Sequence, residues 1–345
     1  MHLKSKKKLS ILIPVYNEIN FLKLFSSKLS NVFKNTNAEY IFIDDGSTDG
    51  SKEWLNDYVN NSSLELQLID LKKNYGKGHA LHEGIKIAQG DYLLFQDADL
   101  ELDPKDSLEM YNIILNDQSI SCVFGSRYLS GKLKRNKNYL NEFFGKMNSF
   151  IFNILFQESL SDIHCGSKIV SKKIIDQLDL SIKDFGFEID IAAQISKLNY
   201  DIYEYGISYF ARSKKDGKKI TWLDGLKSYY YLFKTRFIQN DLATIFSILY
   251  TTFYMGYIGT YFGLGVGKYM VVMFFIFVGL FIGLYRRLFS STVILCFIYF
   301  GSFFSQGNGK IYTILIGFLL GIYISKKLIK FTKAKSQNKL ITFFI

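Results

Sequence analysis

Residues 90–104 read GDYLLFQDADLELDP. The stretch GDYLLFQDADL (90–100) predicts an apolar strand that ends in acids. Asp97 and Asp99 stand two apart. Inside a strand they would face opposite sides of the sheet, but in a turn just past a strand end they can converge. Two converging carboxylates beside phosphate oxygens suit Mg2+ or Mn2+, which takes a few carboxylates plus substrate oxygens.

Working outward, the same pattern recurs upstream. SILIPVY (10–16) predicts a first strand that ends on Asn17-Glu18. Ile19, Leu22, Phe25, Leu29, Val32 and Phe33 recur at helical spacing over 19–34. EYIFIDDGSTDGS (39–51) is a strand that runs into acids, with Ser47 or Asp49 available to cap a helix near 50–59. LELQLID (64–70) predicts a third strand, and His79 to Ala88 a helix entered through the glycine-rich NYGKG (74–78). Alternating strands and helices of this length predict a parallel sheet with both faces covered. In such sheets the ligand lies outside the carboxyl ends of the strands, where the polar motifs fall here. Downstream, SCVFGS leads to Arg127, residues 139–157 and 186–198 predict helices, and 201–210 a strand.

Charge separates the chain into two parts. The net charge is +11, which invites a nucleic-acid reading, but its distribution argues against one. No Asp or Glu follows Asp241, while ten Lys and Arg do; the first 241 residues hold the other 32 basic residues against all 31 acids. The windows 242–267, 269–285, 288–309 and 311–325 are free of charge. A bilayer span takes roughly 17–25 residues; the first and third windows qualify, 269–285 is just adequate and 311–325 is short, and the placement of charges supports four helices at about 242–265, 269–285, 288–306 and 311–325. Four spans put both termini on one side. That side carries Arg286, Arg287 and the basic 326–339 segment, the positive-inside bias of a cytoplasmic face. Residues 222–240 mix aromatics with Lys227, Lys234 and Arg236, which suits an amphipathic helix in the membrane interface. The expected organisation is a catalytic domain over 1–221, a juxtamembrane segment over 222–240 and a transmembrane region over 241–345.

Other chemistries have weaker signals. Cys122, Cys165 and Cys296 lack CxxC spacing, and no third ligand accompanies His79 and His82. NYGKGHA departs from the Walker A pattern, and no GxGxxG follows the first strand. Cys165 reads as packing.

The ordered set IPVYNE (13–18), IDDGSTDG (43–50), NYGKGHAL (74–81), GDYLLFQDADLELDP, FGSRYLSG (124–131), DIHCGSK (162–168), FGFEID (185–190) and ARSKKDGKKI (211–220) resembles the family-2 inverting glycosyltransferases. Within that family it is most similar to the polyprenyl-phosphate branch typified by dolichol-phosphate mannose synthase. The resemblance implies a GT-A fold, an α/β domain with a Rossmann-like mixed sheet, ahead of an all-α transmembrane region. It implies transfer of sugar from a nucleotide-diphosphate sugar, of the GDP-mannose or UDP-glucose class, to an undecaprenyl- or dolichyl-type phosphate at the cytoplasmic membrane face. It puts Pro14, Tyr16, Glu18, Asp45, Gly46, Lys77 and Asp97 along the nucleotide, and Asp97, Asp99 and Glu101 at the metal. The family often has Gln at the position of Glu101, and a carboxylate there still reaches a metal. Arg127 and Arg212 match positions facing the acceptor phosphate, and Lys219 a lysine of a mobile loop; the neighbouring Lys218 stands where the family often has Ser.

Two rivals are weighed against this reading. A transferase acting on a sugar hydroxyl needs a general base, for which Asp162 and Glu188 are the candidates. Processive synthases of that kind usually carry QxxRW, and neither Trp54 nor Trp222 sits in such a motif. A non-catalytic membrane protein with a degenerate domain is opposed by the intact DADLE, DDGS and both arginines.

Overall fold

The computed structural model describes residues 8–129, 131–135, 139–212, 222–238, 252 and 273–274. The chain divides into two units, Met1–Arg236 and Phe237–Ile345. Almost all the described residues belong to the first. The four uncharged windows of the tail, and Lys219, fall outside the described residues apart from isolated positions. Among the described residues no helix is long and apolar enough to cross a membrane.

The first unit opens as alternating strands and helices: β1 (Leu9–Val15), α1 (Ile19–Phe33), β2 (Ala38–Asp44), α2 (Ser51–Asn61), β3 (Leu66–Asp70), α3 (Lys77–Ile87) and β4 (Tyr92–Phe95). Then come α4 (Pro104–Asn116), β5 (Cys122–Ser126), β6 (Lys134–Arg135), α5 (Tyr139–Phe156), β7 (Lys168–Ser171), α6 (Lys172–Ile175) and α7 (Phe187–Lys197). The series ends with β8 (Tyr203–Gly206), β9 (Tyr209–Phe210), α8 (Trp222–Phe233) and a π-helical turn at Lys234–Ile238.

Seven strands form one sheet in the order β3-β2-β1-β4-β7-β5-β8, and β6 pairs with β9 in a second, two-stranded sheet. β1 to β4 are mutually parallel, as the sequence predicts. β7 runs antiparallel to both β4 and β5, so the sheet is mixed rather than all parallel. The sequence reading missed β7 because SKIVS is short and follows an irregular stretch. It also missed α4, although Asp103 accepts a hydrogen bond from the Lys105 N–H as an N-cap and Pro104 opens the first turn. The strand expected over 201–210 is split into β8 and β9.

Alternation along β1 explains the layers. Leu9, Ile11, Ile13 and Val15 join Leu22, Phe25 and Leu29 of α1 and Met110, Tyr111 and Ile114 of α4 in one core. Leu12 points the other way, into a second core with Ala80 and Leu81 of α3, Phe152 of α5 and Phe187, Ile191 and Ile195 of α7. With both faces covered, the polar motifs are confined to the strand ends.

Candidate active site

Three loops meet where β1, β2 and β4 end. The first two are stitched to each other. The Asn17 N–H donates to Ser47 Oγ (2.9 Å), the Thr48 N–H to Asn17 Oδ1 (2.8 Å), and the Glu18 N–H to Ser51 Oγ (3.0 Å). Asp49 accepts from the Ile19 N–H (3.1 Å) at the start of α1, so the expected cap serves the neighbouring helix as well as its own Ser51 N–H. Asn17 holds φ +52°, a left-handed value that Asn tolerates better than most residues. Gly46 holds φ +73°, and a Cβ there would lie 2.5 Å from the Lys73 carbonyl carbon. A side chain at Gly46 would thus break the junction of β2 with the 73–76 loop.

Asp45 anchors that same junction. Its two oxygens accept from the Tyr75 N–H (2.8 Å) and the Gly76 N–H (2.9 Å). Burial raises its carboxyl above the usual range despite those bonds. Tyr16 and Pro14 are half-buried at the end of β1.

The 97–101 loop carries the acids. Asp97 Oδ1 pairs with Lys77 Nζ at 2.7 Å, and Lys77 also pairs with Glu188 Oε1 at 2.6 Å. Asp99 Oδ2 accepts from Arg212 Nη2 (3.1 Å), and its Oδ1 accepts from the Glu101 N–H (3.0 Å). Arg212 also donates to both oxygens of Glu18, at 2.7 and 3.3 Å, and its backbone N–H to Glu101 Oε1 (2.8 Å). Burial first, then the charges of Asp97 and Glu101, push the Asp99 carboxyl up to about 7. The reading that placed Arg212 at an acceptor phosphate therefore meets a guanidinium lying among Glu18, Asp99 and Glu101.

Arg127 lies just past β5. Because β5 and β7 are antiparallel, the residues after Ser126 come alongside those preceding Lys168. Asp162 meets Arg127 there. Nε and Nη2 donate to its two oxygens at 2.7 and 2.8 Å, and the Arg127 N–H adds a third bond at 3.0 Å. Burial alone would raise the Asp162 carboxyl; the charge and hydrogen bonds of Arg127 hold it below the usual range. Tyr209 connects the two arginine sites. Its ring lies 5.3 Å from the Arg127 guanidinium, and its hydroxyl donates to Glu101 (3.1 Å).

Both candidate bases of the hydroxyl-acceptor rival are thus engaged in ion pairs, Asp162 with Arg127 and Glu188 with Lys77. Cys165 is buried and its thiol is pushed up to about 12 by that burial, as packing requires. His82 packs on Phe187 and His79 on Tyr75. Lys168 was missed by the sequence reading. It is fully buried, donates to the carbonyls of Ile163 (3.1 Å) and Cys165, and so shapes the loop that presents Asp162. The available signal was a lysine opening the short strand KIVS.

The donor set Asp97, Asp99 and Glu101 offers only hard carboxylate oxygens, and a divalent cation would offset the burial and the mutual repulsion that together raise Asp99. In that sense the residues fit Mg2+ or Mn2+. Among the described residues, no group of three His, Cys, Asp or Glu is drawn together closely enough to hold an ion. Lys77 and Arg212 take contacts from Asp97 and Asp99 that a metal would claim.

The glycosyl transferase family 2 profile matches residues 10–179. A dolichyl-phosphate beta-glucosyltransferase of Dictyostelium discoideum is 28% identical over 227 residues, covering 61% of this chain and 68% of the relative. A dolichol-phosphate mannosyltransferase of Pyrococcus furiosus is 26% identical over 275 residues, 77% and 76% of the two chains. An undecaprenyl-phosphate 4-deoxy-4-formamido-L-arabinose transferase of Aeromonas hydrophila is 29% identical over 178 residues, about half of each chain (50% and 51%). Among solved structures, glucosyl-3-phosphoglycerate synthase from Mycobacterium tuberculosis, in complex with Mn2+, UDP and glucosyl-3-phosphoglycerate, superposes with a TM-score of 0.52. It shares 16% identity and covers 68% of this chain and 81% of its own, a likeness of fold. Residues 10–179 form a glycosyl transferase family 2 domain of GT-A-like α/β architecture, and the chain that carries it is a glycosyltransferase.

Proposed function

We propose that the chain transfers a sugar, with inversion, from a nucleotide-diphosphate sugar to a polyprenyl phosphate at the cytoplasmic face of a membrane. The observation that carries this reading is the meeting of the 97–101 acids with two side-chain cations, Lys77 and Arg212, beyond the ends of parallel strands. The named activities of the relatives support it: two act on dolichyl phosphate and one on undecaprenyl phosphate.

The chemistry follows from charge. A lipid phosphate is ionised near neutral pH, so its oxygen attacks the anomeric carbon without a general base. The bond from that carbon to the nucleoside diphosphate breaks, and the leaving group departs with its electron pair. Asp97, Asp99 and Glu101 would hold Mg2+ or Mn2+, which supplies neutralisation of the diphosphate charge. Lys77 adds a fixed ammonium beside Asp97. Arg127, held by Asp162 in one orientation, and Arg212 favour an anionic acceptor. Pro14, Tyr16, Glu18, Asp45 and Gly46 border the nucleotide, and Lys219, outside the described residues, is assigned to the reaction by the resemblance alone.

Membrane attachment is part of the proposal. The exposed apolar residues of α5 (Tyr139, Leu140, Phe143, Phe144, Phe150, Ile154) and the exposed Tyr230 and Phe233 of α8 support contact with a lipid surface. The charge-free windows beyond residue 241 support four spans, a catalytic domain over 1–221 and a juxtamembrane segment over 222–240. Cysteines engineered near Gly265 and Asn308 are expected to react with an impermeant reagent applied outside the cell, and one near Ser290 to stay protected. Labelling near Ser290 alone contradicts the four-span arrangement. For the reaction itself, nucleoside diphosphate release from a panel of donors should depend on added polyprenyl phosphate. Release stimulated equally by polyprenol, which lacks the phosphate, argues against the proposed acceptor.

A further inference from the structure

The glycine-rich segment NYGKGHA, which resembles a phosphate loop only loosely, has a different physical reason for its glycines. Gly76 holds φ +100°, and a Cβ there would lie 2.6 Å from the Lys183 carbonyl oxygen. A Cβ at Gly78 would overlap the Ile182 carbonyl oxygen. The His79 N–H donates to that same Lys183 carbonyl at 2.8 Å. Both glycines therefore let the start of α3 pass directly against residues 182–184, the segment that leads into α7. The N-terminal turn of α7 is fixed in turn. Phe187 packs on Phe95 at the end of β4 (5.4 Å between ring centroids) and on His82 of α3 (5.7 Å). The residue this construction delivers to Lys77 is Glu188.

Lys77 thus lies between two carboxylates of unequal setting. Glu188, its side chain 7% exposed, holds it from within at 2.6 Å, and Asp97, at 26%, holds it from the open side at 2.7 Å. Asp97 packs its other oxygen against Gly166, where a Cβ would overlap Oδ2. The lysine itself is 15% exposed. A buried ammonium that loses its last counter-charge is costly, so its partners decide what it can release. With Glu188 in place, Asp97 can turn toward a donor while Lys77 stays paired and stays put. Without it, Asp97 is the ion-pair partner left to Lys77 among the described residues, and the donor must break that pair to reach either group.

We propose that Glu188 is a positioning residue for the donor site: it retains Lys77 in place so that Asp97 and the Lys77 ammonium are both available to the nucleoside diphosphate. This rests on the proposed nucleotide-sugar donor. It assigns Glu188 a role distinct from that of a general base, and it acts through Lys77 rather than on substrate.

The test is calorimetric titration of the purified full chain with UDP and with GDP, each with Mn2+, for wild type, Lys77→Met, Glu188→Gln and the double variant. Glu188→Gln is expected to weaken the nucleotide that wild type binds by about tenfold, and the double variant to bind no worse than Lys77→Met alone, because groups acting as one unit are not additive. Glu188→Asp, which keeps the charge but shortens the reach, should fall between wild type and Glu188→Gln. An acid limb of the transfer pH profile set by ionisation of the acceptor phosphate should survive in Glu188→Gln, whereas a general base at Glu188 would take that limb with it. Unchanged nucleotide affinity in Glu188→Gln, multiplicative effects in the double variant, or loss of the acid limb each overturn the role while leaving the donor reading intact. A wild-type chain that binds neither nucleotide overturns both.

Discussion

Asp99→Ala is expected to reduce sugar transfer by about a thousandfold or more. Neutralising the developing charge of a departing diphosphate is worth several kcal/mol, and each 1.36 kcal/mol is tenfold in rate. Asp99 sits between Asp97 and Glu101, where burial first and then its neighbours' charges disfavour its carboxylate form. The fold should survive the change. Arg212 keeps both oxygens of Glu18 and the backbone bond to Glu101. Initial rates with saturating donor, with a melting curve recorded beside them, check both halves. Turnover near wild type in excess chelator would remove Asp99 from the role assigned to it.

The second large effect is on stability. Asp162→Ala leaves the Arg127 guanidinium enclosed without its counter-charge; breaking such a pair from one side costs about 3–5 kcal/mol. Asp162 is fully buried, and its three hydrogen bonds from Arg127 are all lost together. For a unit of this size the melting temperature should fall by about 10 °C. The paired change Asp162→Leu with Arg127→Met should recover much of that loss, because no charge is then left alone in the interior. A single Asp162→Ala variant that melts with wild type would show that water reaches Arg127 freely.

Much of this arrangement is legible in the sequence because strand ends announce themselves. Apolar runs that stop at Asn17-Glu18, at Asp44-Asp45 and at Gln96-Asp97 mark β1, β2 and β4, and the structure gathers those three ends together. The helix α3, entered through NYGKG, follows from the same reading, while the bonds of Asp45 to that segment come only from packing. The antiparallel β7 was harder to see. Four residues of strand inside an irregular stretch carry no period, and only pairing with β4 and β5 defines them. Side-chain partners were harder still. Glu18 and Arg212 are 194 residues apart in the chain, and no local pattern relates them. Asp49 looked like the cap of its own helix, yet it also bonds Ile19, thirty residues earlier. In each case local spacing names the residue type, while long-range packing chooses its partner.

That choice of partner matters most for Arg127 and Arg212. A resemblance assigns both to an acceptor phosphate, and each is engaged with carboxylates in the structure. The two assignments are compatible if an anionic acceptor takes one edge of a guanidinium whose other edge stays held by an acid. Asp162 then acts as the holder of Arg127, and Glu18 as the holder of Arg212. A sugar hydroxyl offers no charge to draw those groups and would need a base that the ion-paired Asp162 and Glu188 are poorly placed to supply.

The most direct measurement of the central claim is the chemical identity of the lipid product. The purified chain, supplied with labelled nucleotide sugar, Mn2+ and equimolar polyprenyl phosphate, polyprenol and a free oligosaccharide, should place the label on polyprenyl phosphate alone, through a sugar-1-phosphate bond that mild acid cleaves. Label on the oligosaccharide or on polyprenol, at a rate matching that on the phosphate, would contradict the account.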